Sequence, residues 1–177
     1  MTKVAEFKLN KINSFILNLL AIIIFIAGLQ ISNFTVDKLF ILVKNHTFYS
    51  LSIPLIIVFA HEGIHAVAYK MFGAKLKFGV KHLSVYLTDI SGSLFTLKQI
   101  TVIMLLPLIF LSLILIIAAI IFTNYIALIL LAILINISGS IGDILLLSYI
   151  MFKGKECRVK DENNGFSIYQ ANMQGSS

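Results

Sequence analysis

Long runs of apolar residues dominate the chain and predict four membrane-spanning helices. A helix needs about 20 apolar residues to cross the hydrocarbon core of a bilayer. Four windows reach this length, and so few residues separate the last two that they predict a tight helical hairpin. The four predicted spans cover residues 14–32, 51–71, 100–122 and 125–151. We therefore expect an all-α polytopic membrane protein in which residues 1–177 form a single domain.

Two stretches outside the spans show the alternation of a strand instead. After the second span, Leu76 and Phe78 alternate with Lys75 and Lys77. A period of two residues predicts strands with one buried face, which we place within residues 75–97. In the C-terminal tail, two similar segments flank an Asn-Gly pair, which is typical of a β-hairpin. The second predicted strand region is therefore a hairpin over residues 157–170.

Composition and charge support a membrane protein and suggest its orientation. Hydrophobic residues make up 59% of the chain and charged residues only 12%, whereas about a quarter of a soluble domain is charged. If both termini lie in the cytosol, twelve of the 14 basic residues fall on the cytosolic side, as the positive-inside rule requires. This N-in, C-in arrangement and contact with anionic lipid explain the net charge of +6, so we expect no nucleic-acid partner. The lone Cys157 excludes an internal disulfide.

The candidate chemistry lies in the second predicted span, where His61, Glu62 and His65 form an HExxH motif. Residues i and i+4 share one face of a helix, so the two imidazoles can bind one zinc ion. The glutamate beside them can accept a proton from an attacking water molecule. Ionisable groups buried in a bilayer cost about 2–3 kcal/mol each, and a metal ion would offset that cost. The alternative is that the histidines hydrogen-bond to other helices without a metal.

A catalytic zinc site normally has a third protein ligand, and Asp143 is the best candidate. It is the only other acidic residue inside a predicted span, and no span contains a further histidine. Asp143 lies eight residues from the end of its span, whereas His61 and His65 lie ten and six residues from the end of theirs. At about 1.5 Å per residue, the carboxylate lies between the two imidazoles in depth. Asn136 and Ser140 share its helix face and are candidates to support the ligands.

This pattern resembles the site-2 type of intramembrane metalloprotease. It more closely resembles the small bacterial membrane proteins of the DUF3267 family of zincin peptidases. The similarity rests on the HExxH motif, on the Phe-Gly segments at 72–73 and 78–79, and on the stretch 136–143 that ends in Gly-Asp. The resemblance implies zinc ligands at His61, His65 and Asp143, a general base at Glu62, and a bacterial plasma membrane. The Asn-Pro-Asp-Gly type of motif that site-2 proteases carry around the third ligand is absent from this sequence.

Two classes of function follow from these observations. The first is a zinc-dependent intramembrane endopeptidase that hydrolyses peptide bonds of membrane-embedded or membrane-proximal peptides. The alternative is a non-catalytic binding or regulatory membrane protein that keeps a structural metal or a bare polar cluster. A small transporter is disfavoured, because the spans show no inverted repeat.

Overall fold

The structure, a computed structural model, describes residues 1–8, 10–81, 84–153, 157–162 and 165–170. Helices and strands occur in separate runs along this described part of the chain. The helices are α1 (Lys11–Ile31), α2 (Val36–Asn45), α3 (Thr47–Met71), α4 (Leu97–Ile121), α5 (Ile126–Gly139) and α6 (Ile141–Phe152), with a 3₁₀ turn at Thr123–Tyr125. The strands are β1 (Thr2–Lys8), β2 (Leu76–Lys81), β3 (Ser84–Asp89), β4 (Leu94–Thr96), β5 (Cys157–Glu162) and β6 (Gly165–Gln170).

Four helical segments are long and apolar enough to cross a membrane by length and composition. They are Lys11–Ile31, Thr47–Met71, Leu97–Ile121 and Thr123–Phe152. Each overlaps one of the four predicted spans, and the ends differ by four residues or fewer. The chain is therefore mostly helical with small antiparallel strands, as the hydropathy pattern indicated.

The fourth segment differs from the continuous helix that its hydropathy predicts, because it breaks between α5 and α6. The Ser140 hydroxyl donates a hydrogen bond of 2.7 Å to the Asn136 carbonyl, and serine bonds of this kind bend helices. Gly139, just before the break, further weakens the helix. The chain restarts at Ile141, which places Asp143 in the first turn of α6. The partial positive charge of a helix N-terminus favours a carboxylate there.

Most of the strands form one sheet at one end of the helical bundle. Its order is β1-β6-β5-β4, and all neighbours are antiparallel. Strands β5 and β6 lie within the tail segment where alternation predicted a hairpin, whereas β1 arises from an N-terminal arm with no predicted element. Because β1 pairs with β6, the first and the last strand lie together at the end where α1 and α4 begin and where α3 and α6 end.

The remaining two strands, β2 and β3, form a separate antiparallel hairpin between α3 and α4. This hairpin occupies the first predicted strand region. His82 and Leu83, which separate β2 from β3 in the sequence, lie outside the described residues, as do Asn163 and Asn164, which separate β5 from β6.

The main hydrophobic core joins the sheet to the adjoining helix ends. Phe95, Val159 and Ile168 from the sheet pack against Ile103 of α4 and Ile150 of α6, and all five are almost completely buried. This core fixes the relative positions of α3, α4 and α6. Those three helices, together with α5, supply every side chain and carbonyl group of the site described below.

At the opposite end, the chain forms α2, for which the hydropathy pattern predicted no element. The Thr35 hydroxyl caps this helix by accepting a hydrogen bond from the Lys38 amide. Leu42 of α2 packs against Leu128 and Leu131 of α5 in a second, smaller core.

Candidate metal centre

The two histidines of the HExxH motif lie on one buried face of α3. His61 and His65 are 8% and 7% exposed, and their ring centroids are 4.8 Å apart. This spacing follows from the helix itself, since i and i+4 side chains are neighbours on its surface. Glu62 is half-buried beside them and interacts electrostatically with both imidazoles.

Asp143 of α6 meets both histidines at a single point. Its Oδ2 atom lies 3.1 Å from His61 Nε2 and 3.3 Å from His65 Nε2. Each of the three residues offers one candidate ligand atom, and these three atoms all lie within 4.8 Å of one another. The structure therefore brings together the three side chains that the sequence singled out as a ligand set.

The other ring nitrogen of each histidine contacts an acceptor on a different helix. His65 Nδ1 lies 2.8 Å from the Ile103 carbonyl oxygen of α4. A carbonyl only accepts hydrogen bonds, so this nitrogen carries the proton. In the neutral imidazole, Nε2 then carries a lone pair that faces Asp143.

Asn136 of α5 plays the equivalent part for His61. Its Oδ1 atom lies 3.2 Å from His61 Nδ1. Its Nδ2 group donates to the Leu108 carbonyl at 3.3 Å and to Ser112 Oγ at 3.1 Å, both on α4. Because the amide nitrogen is engaged by acceptors, the oxygen faces the imidazole. His61 is thus also held with Nε2 towards the carboxylate.

The donor set fits a zinc ion. In neutral imidazoles held this way, two nitrogen lone pairs and a carboxylate oxygen converge, and their mutual repulsion needs a cation or a shared proton to offset it. Ligand atoms of a tetrahedral zinc site with bonds of about 2.0–2.1 Å stand about 3.3 Å apart, close to the two distances measured to Asp143 Oδ2. Two histidines and one carboxylate also form a ligand set that zinc accepts with a fourth position open.

The centre is most accessible on the side of Asp143. The Asp143 side chain is 22% exposed, compared with 11% and 9% for the side chains of His61 and His65. A Cβ atom built on neighbouring Gly142 would meet nothing within 4 Å. There is therefore open space beside Gly142, the residue before the carboxylate.

Ser140, the second candidate support, acts on the histidines indirectly, through Asn136. It is fully buried, and its hydroxyl donates to the Asn136 backbone. Its contribution is to the helix break and to the position of Asn136.

Sequence reasoning missed the contribution of α4, which supplies no candidate ligand. The Ile103 carbonyl accepts a hydrogen bond from His65. The Leu108 carbonyl and the Ser112 hydroxyl accept hydrogen bonds from Asn136. Every residue type carries the same backbone carbonyl, so the sequence does not show which carbonyl supports a histidine. The only available signal was Pro107, which frees a carbonyl four residues before it.

A second buried polar network lies where α3 meets the sheet. Asp161 of β5 is 4% exposed and accepts hydrogen bonds from the Asp89 amide at 3.0 Å and from the Thr88 hydroxyl at 3.3 Å. The Tyr69 hydroxyl is a further donor. Burial, reinforced by the nearby Asp89 carboxylate, outweighs these hydrogen bonds and raises the pKa of Asp161 to about 7.

Asp89 itself has a structural task. Its carboxylate accepts hydrogen bonds from the Lys75, Ser91 and Ser93 amides and from the Ser91 hydroxyl. These bonds tie the turn that follows β3 to the end of α3. The carboxylate is therefore fully occupied within the fold.

Comparison with known proteins places the chain in a family. A family model, DUF3267, described as "Putative zincin peptidase", matches residues 54–158. The match covers α3 from Pro54 onwards and all of α4, α5 and α6, and therefore every residue of the metal centre. No curated protein and no solved structure matches the chain. The resemblance to the DUF3267 family is confirmed, and the chain belongs to that family.

Proposed function

We propose that the protein is a zinc-dependent endopeptidase of the membrane interior. One observation supports this most strongly: His61 Nε2, His65 Nε2 and the Asp143 carboxylate converge within segments that are long and apolar enough to span a bilayer. Membership of a zincin peptidase family supports the same chemistry. His61, His65 and Asp143 would hold the ion.

The roles of the protein groups follow from their positions. A zinc ion bound here would supply a Lewis acid that activates water near neutral pH and polarises a carbonyl group. Glu62, next to His61, accepts the proton of the attacking water on its carboxylate and then donates it to the leaving amine. Asn136 and the Ile103 carbonyl keep both imidazoles oriented while this happens.

The substrate in this proposal is a membrane-embedded or membrane-proximal peptide in an extended conformation. A peptide bond inside a helix is shielded and hydrogen-bonded, so the segment has to unwind before water can attack it. The β2–β3 hairpin is a two-stranded sheet, and an edge of such a sheet offers backbone groups to which an extended chain can pair.

The proposed orientation has both termini in the cytosol of a bacterial cell. Pairing of β1 with β6 supports this arrangement, because the first and the last strand then share one side, and most of the basic residues flank that end. The positive-inside rule assigns that side to the cytosol. His65 then lies six residues, or about 9 Å, from the cytosolic end of α3.

Metal analysis of the detergent-purified protein, combined with a cleavage assay, tests the proposal. We expect about one zinc ion per chain in the wild type and in Glu62→Gln, and loss of zinc in His65→Ala and Asp143→Ala. A library of synthetic single-span peptides with a Gly-Pro pair in the span serves as substrate, with products identified by mass spectrometry. Glu62→Gln should abolish cleavage, whereas Glu6→Gln, in β1, should not change it.

Two results would contradict the proposal. Zinc retained at full affinity in Asp143→Ala would exclude this carboxylate as a ligand. Cleavage that persists in Glu62→Gln would exclude Glu62 as the base. Zinc bound with no cleavage of any peptide would favour the alternative of a structural metal in a non-catalytic membrane protein.

A further inference from the structure

Helix α4 contains a proline at a position where a helix normally needs an amide donor. Pro107 is fully buried in the middle of α4. In a regular helix, the amide of residue 107 would donate to the carbonyl of Ile103. Proline has no amide hydrogen, so this carbonyl loses its helical partner. Ile103 has no exposed surface, and water therefore cannot replace the missing donor.

A histidine of the candidate metal centre supplies the missing donor to the Ile103 carbonyl. His65 Nδ1 lies 2.8 Å from the Ile103 oxygen, the shortest hydrogen bond made by either histidine of the cluster in the described part of the chain. The pairing meets two needs at once. The carbonyl gains a donor, and the imidazole is fixed with its proton on Nδ1 and its lone pair on Nε2.

We propose that Pro107 is a positioning residue for the metal centre. By removing the helical donor to Ile103, it reserves that carbonyl for His65 and sets the tautomer in which Nε2 faces Asp143. This inference rests on the proposed zinc function, because positioning His65 matters only if the histidine binds a metal. The hydrogen bond between His65 and the Ile103 carbonyl is present without the metal.

The chain contains a natural comparison in Pro54, which lies inside α3. Pro54 deprives the carbonyl of Ser50 of its helical donor in the same way. His61 depends instead on the Asn136 side chain. Replacing Pro54 therefore removes a proline from a span without touching the support of either histidine, which makes Pro54→Ala the matched control.

The test replaces Pro107 by alanine and measures the imidazole directly. Protein labelled with ¹⁵N-histidine, free of metal and in detergent micelles, reports by NMR which ring nitrogen is protonated, and His65→Asn identifies the His65 signals. In the wild type we expect the proton on Nδ1. In Pro107→Ala the restored amide competes for the Ile103 carbonyl, so His65 should populate both tautomers. Zinc affinity, measured by competition with a chelator, should fall about tenfold, as is usual when an outer partner of a ligating histidine is lost.

The outcomes separate this inference from the proposed function. If Pro107→Ala keeps the wild-type tautomer and zinc affinity, the positioning role is wrong while the zinc site stands. If the wild type binds no zinc but the His65 tautomer still shifts in Pro107→Ala, the positioning role stands and the zinc function fails. An equal fall in zinc affinity in Pro54→Ala would overturn the inference, since any lost proline would then suffice. Should Pro107→Ala not fold, the wild-type spectrum provides the test, because a His65 Nδ1 atom that carries no proton would contradict the proposed hydrogen bond.

Discussion

The buried carboxyl group of Asp161 makes the stability of this protein depend on pH in a way that can be measured. Asp161 lies on β5, where it accepts hydrogen bonds from Thr88, Asp89 and Tyr69. Burial raises its pKa to about 7, compared with about 3.9 in an unfolded chain. The substitution Asp161→Asn keeps the size and one acceptor of the side chain but removes its titration.

The direction of the effect follows from proton binding. Between about pH 4 and pH 7 the folded state holds a proton on Asp161 that the unfolded state has released. The free energy of unfolding therefore falls as pH rises through this window and levels off above pH 7. A pKa difference of about 3 units corresponds to about 4 kcal/mol. Asp161 thus lowers stability at neutral pH, and the protein should be most stable in mildly acidic solution as far as this group is concerned.

Unfolding by sodium dodecyl sulfate in mixed micelles, followed by circular dichroism from pH 4 to pH 8, measures this effect. The wild type should lose stability across the window, whereas Asp161→Asn should show a much flatter profile and exceed the wild type at pH 8. Asp37→Asn, on the exposed side of α2, is the matched control and should keep the wild-type slope. A flat wild-type profile, or an unchanged slope in Asp161→Asn, would refute the reasoning.

Three further predictions concern the support of the site and the sheet. Asn136→Leu removes the acceptor at His61 Nδ1, so zinc affinity in a chelator competition should fall 10- to 100-fold, and an unchanged affinity would exclude this support. Gly165→Ala should lower the thermal midpoint and expose β1 to limited proteolysis, because φ is +140° and a Cβ atom there would overlap the Phe7 carbonyl oxygen; a protected N-terminus would count against this. Thr96→Ala removes the N-cap of α4 and should cost about 1 kcal/mol in the free energy of unfolding, whereas Thr96→Ser should restore most of it.

The features that could be predicted from the sequence are those set by local rules. Apolar run length is local, so the number and approximate bounds of the long helices follow from hydropathy. The positions of His61 and His65 on one face follow from helical periodicity alone. Asp143 could be predicted because the second and fourth predicted spans run in the same direction and so share a common depth scale, and its oxygen lies within 3.3 Å of both imidazoles.

Other features depended on contacts between segments that are distant in the chain. The N-terminal arm forms β1 only because β6 offers it an edge, and α2 is held by leucines of α5. The break before Asp143 falls in a segment whose hydropathy is continuous across it, so the sequence pattern could not reveal it.

By itself, the sequence determined the long helices, the motif on α3 and the identity of the residues that can bind a metal, because each depends on composition and on spacing along one segment. Only the tertiary structure decided how the rings of the two histidines are held. That arrangement depends on a backbone carbonyl left without a helical donor by Pro107 and on the amide of Asn136, and neither group acts until α4 and α5 pack against α3. Hydrogen bonds between helices depend on the relative position and rotation of the helices, and no local pattern in the chain encodes these.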